Sequence, residues 1–321
     1  MKILMISSAG LGIYPSIEKS IMETFLKLNH SIHIINPVYS LETVKIINDM
    51  EPDLVITMVG QIMDLKLIEF LKKKKLILCI WLTEDPFYID DTVKLINDYD
   101  YIFTVDLGAF EYYKKRFPTK PIFHLPLGTD PSIYFQTEPS HHLYDLCLVG
   151  YPYPERIELV HYILNHTPYT MILAGPLWKG FIQDETHINK LVIINKWIEP
   201  SFVREIFNSS KIILNPHRSH KFYKNKNSLN VESKSINNRT FDIAACGGFQ
   251  LISEKPDIGI HFDRSSEMVS YSNKEECLHL IRHYISDEKI RKQYSKNAQR
   301  KALSDHTFFH RAQFILDRVH F

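Results

Sequence analysis

Asn238, Arg239 and Asp242 open a short apolar run in the stretch NNRTFDIAACGGFQLIS, residues 237–253. A guanidinium at the start of a helix can hold phosphate oxygens bidentately, and the free N–H groups there favour the same charge. One turn further in, an ionised Asp242 can only accept, which suits the paired hydroxyls of a ribose. Asn238 is a good N-cap, and Gly247 and Gly248 stop the helix before the next strand. A nucleoside diphosphate fits both ends of this motif. A plain helix start uses the same residues equally well, with Asp242 complementing the dipole and Arg239 in solvent.

Other stretches carry compatible chemistry. LVGYPYPERIEL (148–159) reads as strand, Gly150, turn and helix, with Arg156 in the first turn; an ordinary βα turn has the same appearance. ILNPHRSH (213–220) ends a strand with Asn215, His217 and Arg218; a metal site at His217 and His220 lacks a third ligand nearby. CIWLTEDPFYIDD (79–91) places Thr83, Glu84 and Asp85 after a strand, where a carboxylate can orient or deprotonate a hydroxyl, or simply begin a helix. SSAGLGIYP (7–15) puts Gly10 in a loop whose backbone can approach a ligand closely. The segment 217–236 carries Arg218, Lys221, Lys224, Lys226 and Lys234 against Glu232, and reads as an anion-facing loop or a flexible lid.

Two series of short apolar runs must position these residues. The first occupies 2–8, 31–36, 53–58, 75–81, 101–105 and 121–125, the second 145–150, 169–175, 191–195, 211–215 and 248–253. The runs are nearly continuous rather than alternating, as in strands buried on both faces. Amphipathic stretches separate them, such as PSIEKSIMETFLKLNH, whose Ile17, Ile21, Phe25 and Leu28 share one helical face. Such alternation predicts two doubly wound parallel sheets, an α/β architecture. The polar stretch near 137–143 marks the boundary, and helices are expected from about 274 onward. Ligands of doubly wound sheets bind at the C-terminal strand ends, so a cleft facing both sheets is expected.

At 321 residues, 45% hydrophobic and 23% charged, the composition is that of an ordinary globular protein long enough for two domains. A net charge of +1 gives no global basic field for nucleic acid or a membrane surface. The four cysteines lie far apart without metal spacing, which suits free thiols in a reducing, cytoplasmic setting. No run reaches transmembrane length, so no membrane span is expected.

In order, WLTEDP, LPLGTDPSIY, YDLCLVGYPYPER, ILNPHR, NNRTFDIAACGGFQLIS, EMVSYSNKEE and HTFFHRAQFIL resemble the CgeB-like spore maturation proteins, a branch of the GT-B glycosyltransferases. The resemblance covers essentially the whole chain. It implies two Rossmann-like domains facing a central cleft, 1–138 on the acceptor side and 139–304 holding a nucleotide-sugar donor, with a final helix, 305–321, returning to the first. Under it Arg239 neutralises a diphosphate and Asp242 stands where relatives commonly carry glutamate for the ribose. Lys234 replaces the first acid of an E-x7-E pair. Gly150 and Arg156 match the second-domain loop, Asp85 matches the first-domain acid, and backbone groups of Trp197 and Ile198 are expected to read a base, uracil being commonest.

The function expected is metal-independent transfer, without a cofactor, of a hexose from a nucleoside-diphosphate sugar, a UDP-sugar favoured, to an unknown acceptor. Asp85 and Arg239 are the expected catalytic residues. Gly10, Gly150, Arg156, Trp197, Ile198, Asn215, Arg218, Asn238 and Asp242 are expected to line the donor site with Arg239. The rival readings are a non-catalytic nucleotide-sugar-binding or spore-surface assembly protein and a sugar-nucleotide epimerase; a nucleic-acid partner has only the lysine-rich loop behind it.

Overall fold

The computed structural model describes residues 1–10, 12–137, 142–182, 185–187 and 189–319. The chain divides into two compact units: 1–127 with 223–235 and 308–321, and 128–222 with 236–307. Residues 223–235, which the sequence groups with the second domain, therefore cluster with the first unit.

Unit 1 runs β1 (Lys2–Ile6), α1 (Tyr14–Lys27), β2 (Ser31–Ile35), α2 (Leu41–Met50), β3 (Leu54–Met58), α3 (Leu65–Lys73), β4 (Ile77–Leu82), α4 (Ile89–Thr92), β5 (Tyr101–Thr104), α5 (Leu107–Arg116) and β6 (Ile122–His124). The six strands are all parallel in the order β2-β1-β3-β4-β5-β6, in register from Ile3↔Leu54 to Ile102↔Ile122. Their continuous apolar character follows from cover on both faces. Leu4, Ile6, Leu78 and Ile80 pack with Leu67, Leu71 and Tyr113 of α3 and α5. Ile3, Met5, Cys79 and Trp81 pack with Ile17, Ile21 and Phe25 of α1. Each such fully buried aliphatic or aromatic side chain contributes roughly 1.5–3 kcal/mol.

Unit 2 contains β7 (Tyr144–Val149), α6 (Pro154–His166), β8 (Met171–Ala174), β9 (Leu191–Ile194), α7 (Pro200–Asn208), β10 (Ser210–Asn215), α8 (Arg239–Ala245), β11 (Gln250–Ser253), α9 (Ile258–His261), β12 (Val269–Tyr271), α10 (Lys274–Ile285) and α11 (Glu288–Asp305). The last helix, α12 (Phe308–Arg318), belongs to unit 1, where Phe308, Ala312 and Ile315 close the α1 face of the sheet. The second sheet is also all parallel, in the order β12-β11-β10-β7-β8-β9. The winding direction reverses between β7 and β10, so the loops after these two strands flank the topological switch point. The two doubly wound sheets agree with the architecture expected from the apolar runs. Strand β12 was not expected: at three residues, its VSY run is too short to carry a periodic signal.

Residues 223–235 of the lysine-rich segment are pinned within unit 1. Asp106 caps α5 through the amides of Gly108 and Ala109 (2.8 and 3.1 Å), and its other oxygen accepts from Ser233 Oγ and the amides of Lys234 and Ser235 (3.1, 3.1 and 3.2 Å). Lys226 pairs with Asp91 (2.8 Å) and Lys234 with Glu111 (2.6 Å), while Val231 enters the core. These two lysines are paired within unit 1 by its own acids.

Candidate nucleotide-sugar site

The switch point of unit 2 gathers several of the residues singled out by the sequence. Chain leaving β7 reaches Gly150 with φ +136°, a conformation side chains with a Cβ rarely adopt. Its carbonyl accepts from Trp178 Nε1 (2.8 Å) and its N–H donates to Ala174 (2.8 Å), which fixes the loop against β8. A Cβ added at Gly150 would lie 2.7 Å from Arg156 Nη1 and 2.9 Å from Arg239 Nη2. Two guanidinium groups therefore converge on one glycine.

Pro154 begins α6 with its φ preset and no donor to lose, placing Arg156 in the first turn. Arg156 is buried; its Nε donates to the Pro216 carbonyl and its Nη1 to the Tyr151 carbonyl, both at 3.0 Å. The first of these bonds joins the two switch-point loops. Burial, with the nearby charge of Arg239, pushes the Arg156 guanidinium down to about 9, so it stays charged at neutral pH. Arg239 is half-buried, and burial lowers its pKa as well. Among the described residues its guanidinium makes no hydrogen bond and no ion pair. Arg218 lies against the Tyr153 ring, 5.1 Å from its centroid, with Arg156 5.0 Å from the same centroid. The Tyr153 ring thus contacts two cations.

The residues behind this cluster act as scaffolding. Asn215, expected to line the donor site, is fully buried at the end of β10 and bonded to its neighbours. Its amide nitrogen donates to Thr240 Oγ1 and Gln250 Oε1 (both 3.1 Å), and its oxygen accepts from Asn237 Nδ2 (3.0 Å). Both polar atoms of its side chain are thus engaged within unit 2. Asn238 is corrected as a cap. Its backbone is already helical and its side chain caps nothing; Asn237, one residue earlier, accepts from the Thr240 amide at 3.2 Å. The helix itself is only seven residues long, so the arginines rather than its terminus carry the positive charge. It ends as expected: Gly247 at φ +65° and Gly248 return their N–H groups to Ala244 and Ile243 (2.9 and 3.0 Å), a Schellman closure.

His217, buried and set aside as a metal ligand, fastens three loops. Its ring contacts Ser253 Oγ through Nδ1 (2.7 Å), and its Nε2 accepts from the Asn237 amide (3.2 Å), which requires the neutral form. Burial, then the positive charges of Lys255, Arg156 and Arg239, hold its pKa well below the usual range. Asp242 is buried, and burial pushes its carboxyl up to about 7 against the opposing pull of Thr129 and Arg239. Trp197 is exposed, and the Ile198 side chain sits in the core with Val149, Ala174 and Ile213, which leaves the expectation for their backbone groups untouched. Among the described residues no backbone hydrogen bond engages Trp197 or Ile198, so their peptide groups are available to a base edge.

In unit 1 the expected catalytic Asp85 faces inward. It is 3% exposed and accepts from Thr92 Oγ1 and Thr104 Oγ1 (both 2.8 Å) and Tyr113 OH (3.3 Å). Burial pushes its carboxyl up to about 7. An acid spent on three internal hydroxyls cannot reach an acceptor. Its neighbour Glu84 is only half-buried and accepts from Tyr14 OH, which also contacts Thr83 Oγ1 (3.0 Å). Gly10 lies in the loop after β1, where its N–H bonds Ser8 Oγ (3.1 Å) and the Ser8 amide bonds the buried Glu18 (2.6 Å).

Two all-parallel sheets, the second with an arginine-lined switch point, define the fold of the GT-B glycosyltransferases. Sucrose-phosphate synthase from Thermosynechococcus elongatus has this fold at a TM-score of 0.71 and 9% identity, over 99% of this chain and 98% of that one. Anabaena HepE in complex with UDP and glucose matches at 0.68 and 13% identity, again over 99% and 98%. A family model described as glycosyl transferase-like matches residues 156–317. The chain belongs to this glycosyl transferase-like family and is a glycosyltransferase. Spore protein CgeB of Bacillus subtilis (strain 168) is 32% identical to it over 257 residues, 78% of this chain and 79% of that protein. No helix among the described residues is long and apolar enough to cross a membrane.

Proposed function

We propose that the chain transfers a hexose from a UDP-sugar, with the diphosphate held by Arg239 and Arg156 beside Gly150. The observation that carries this reading is the Arg239 guanidinium: half-buried, 2.9 Å from the place a Gly150 Cβ would occupy, and without a protein partner among the described residues. A desolvated guanidinium whose N–H groups have no hydrogen-bond partner is costly, and a diphosphate offsets that cost. As the bond from the sugar C1 to the leaving diphosphate breaks, negative charge grows on the phosphate oxygens. The two arginines, aided by Arg218, stabilise it in place of a metal ion. UDP is favoured because the HepE structure with the same fold is a complex with UDP, and the unengaged peptide groups at Trp197 and Ile198 suit an acceptor–donor base edge. Glu84 is the carboxylate that unit 1 presents for the acceptor hydroxyl's proton. An association with spores is carried over from CgeB.

Calorimetric titration with UDP, ADP and GDP, on the wild type and on Arg239→Ala, tests the donor assignment. Micromolar UDP binding that collapses in the variant supports it; absence of any nucleotide binding removes it. A second reading, binding of the donor without turnover, is favoured by Lys234 in place of an acid and by the inward-facing Asp85. Release of free sugar or transfer product from a bound UDP-sugar separates the two.

A further inference from the structure

A cavity of about 400 Å³ lies at the other edge of the second sheet, bounded by the start of β10, the glycine turn before β11 and one face of α11. Lys211 and Gly248 mark its strand side, and Arg291, Lys292, Ser295 and Lys296 its helix side, all within unit 2. Gly150 follows the C-terminal edge of the same sheet. Strand β7, at six residues, holds the two edges about 20 Å apart. The cavity is therefore separate from the nucleotide-sugar site, and its size suits a small ligand.

Arg291 decides what that ligand is. The residue is only 6% exposed, and Nη1 turns inward, donating to the Tyr284 and Ile285 carbonyls (2.6 and 2.8 Å). Nε and Nη2 make no hydrogen bond among the described residues, and the side chain makes no ion pair there. Neither nitrogen is sealed from solvent, so this side of the guanidinium opens onto the cavity that Arg291 lines. Nε and Nη2 carry parallel N–H bonds, the fork that grips two oxygens of one oxyanion. A buried guanidinium with that fork unbonded is costly, and an oxyanion offsets the cost.

The neighbouring charges set the valence of the anion. Lys211 is paired with Asp145 at 2.7 Å and Lys292 with Glu288 at 2.6 Å, while Asp287 caps α11 through the Ile290 amide (2.9 Å). Arg291 and Lys296 are the lining cations without an ion pair among the described residues. Two such cations match a dianion, and a carboxylate would answer only one of them. Ser295, one turn after Arg291, is 8% exposed and its hydroxyl makes no hydrogen bond there, which adds a donor for a further oxygen. Two charges and three acceptor oxygens on one small centre describe a phosphate group.

We propose that this cavity binds a phosphate-bearing small molecule, separately from the nucleotide-sugar site, with the Arg291 fork and the Lys296 ammonium as its anchors. The site does not depend on the donor reading, because neither anchor belongs to the Arg239 cluster.

Calorimetric titration of the full chain with inorganic phosphate, glucose 6-phosphate and glucose tests it, on wild type, Arg291→Lys, Lys296→Glu and Arg239→Ala. The expected result is that phosphate or its ester binds and glucose does not. Arg291→Lys keeps the charge but loses the fork, and should weaken binding by roughly 10- to 100-fold, the worth of a hydrogen bond to a charged group. Lys296→Glu, which reverses one cation, should weaken it by about tenfold or more, and Arg239→Ala should retain a phosphate site of unchanged affinity. Tighter binding of the ester than of inorganic phosphate assigns the ligand to phosphate esters, and equal affinity assigns it to the free ion; both support the site. Arg291→Lys also gives up its bonds to two carbonyls, so its folding is at risk. Lys296 is exposed and holds no protein partner among the described residues, so the thermal midpoint of Lys296→Glu should match that of the wild type and its binding result stands alone. Absence of phosphate binding overturns the proposal, as does equal affinity in Lys296→Glu. Glucose binding as tightly as its phosphate overturns it too, and so does loss of phosphate in Arg239→Ala, which assigns the anion to the donor site.

Discussion

Arg156 donates from Nε to the Pro216 carbonyl across 3.0 Å, so one side chain at the start of α6 fixes the loop that follows β10. The same guanidinium bonds the Tyr151 carbonyl and faces Gly150. Lysine cannot reproduce this fork, because it is a single point charge on a flexible stem. Arg156→Lys should therefore lose about 1–3 kcal/mol of stability from one buried and one part-buried hydrogen bond. UDP affinity should fall as well, since the loops that present the arginines are no longer tied. Scanning calorimetry and UDP titration read the two effects; a variant indistinguishable from wild type in both would remove the bridging role.

The two neighbouring acids of unit 1 should respond oppositely. Asp85 is spent on Thr92, Thr104 and Tyr113, so Asp85→Asn should alter stability and leave kcat for sugar transfer within a few-fold of wild type. Glu84, accepting from Tyr14, is the acid able to take a proton; Glu84→Gln should lower kcat by roughly 100-fold or more while the chain stays folded. Steady-state transfer kinetics on both variants decide the matter. Reversal of the order would restore Asp85 to the chemistry.

Asp85 and Asp242 also set a pH dependence. Burial raises both carboxyls to about 7 in the folded chain, whereas an unfolded aspartate titrates near ~3.9. Between those values the native state holds more protons than the unfolded one, so stability is greatest at low pH within this window. It should fall as pH rises through the window and level off above about 7, each group contributing at most about 1.4 kcal/mol per pH unit. Urea unfolding at closely spaced pH values measures the slope, and Asp85→Asn should remove its share. A slope that Asp85→Asn leaves unchanged would show that this carboxyl is not raised in the folded chain.

The strands were legible because burial on both faces demands continuous apolar runs such as KILMI and ILCIWL, and the switch-point loop was legible in Gly150 and Arg156. What escaped has a common physical cause: partners distant in sequence. Nothing local to SKS at 233–235 points to Asp106, yet that carboxylate organises the segment. The inward turn of Asp85 depends on Thr104 and Tyr113, both in later elements. Asn238 and Asn237 are equally good caps by type, and only Asn215 beneath them selects the earlier one.

Asp106 joins two functions that one substitution can separate from folding at large. Its side chain caps α5 and accepts three bonds from 233–235. Asp106→Ala should cost about 1–3 kcal/mol, the worth of a lost cap and its added bonds. Hydrogen exchange should accelerate at the Lys234 and Ser235 amides while β3 and β4 keep their protection. Unchanged exchange at those two amides would show that the ion pair of Lys234 with Glu111 and the burial of Val231 hold the segment without Asp106.

Gly150 offers the most direct test of the arginine cluster. At φ +136° an alanine is strained in the backbone, and its Cβ would press on Arg156 Nη1 at 2.7 Å and Arg239 Nη2 at 2.9 Å. Arg239 can swing away, since no protein bond restrains it, whereas Arg156 is held by two carbonyls. Gly150→Ala should thus displace the guanidinium that has no other partner and leave α6 in place. UDP affinity should drop by at least tenfold, the equivalent of about 1.4 kcal/mol, with the helical content unchanged. Arg239→Ala in the Gly150→Ala background should then cost little more, because the two changes remove the same contact. Fully additive losses in this double-mutant cycle would mean that Gly150 and Arg239 serve the nucleotide independently, and that the convergence of the two guanidinium groups on this glycine is not what holds the diphosphate.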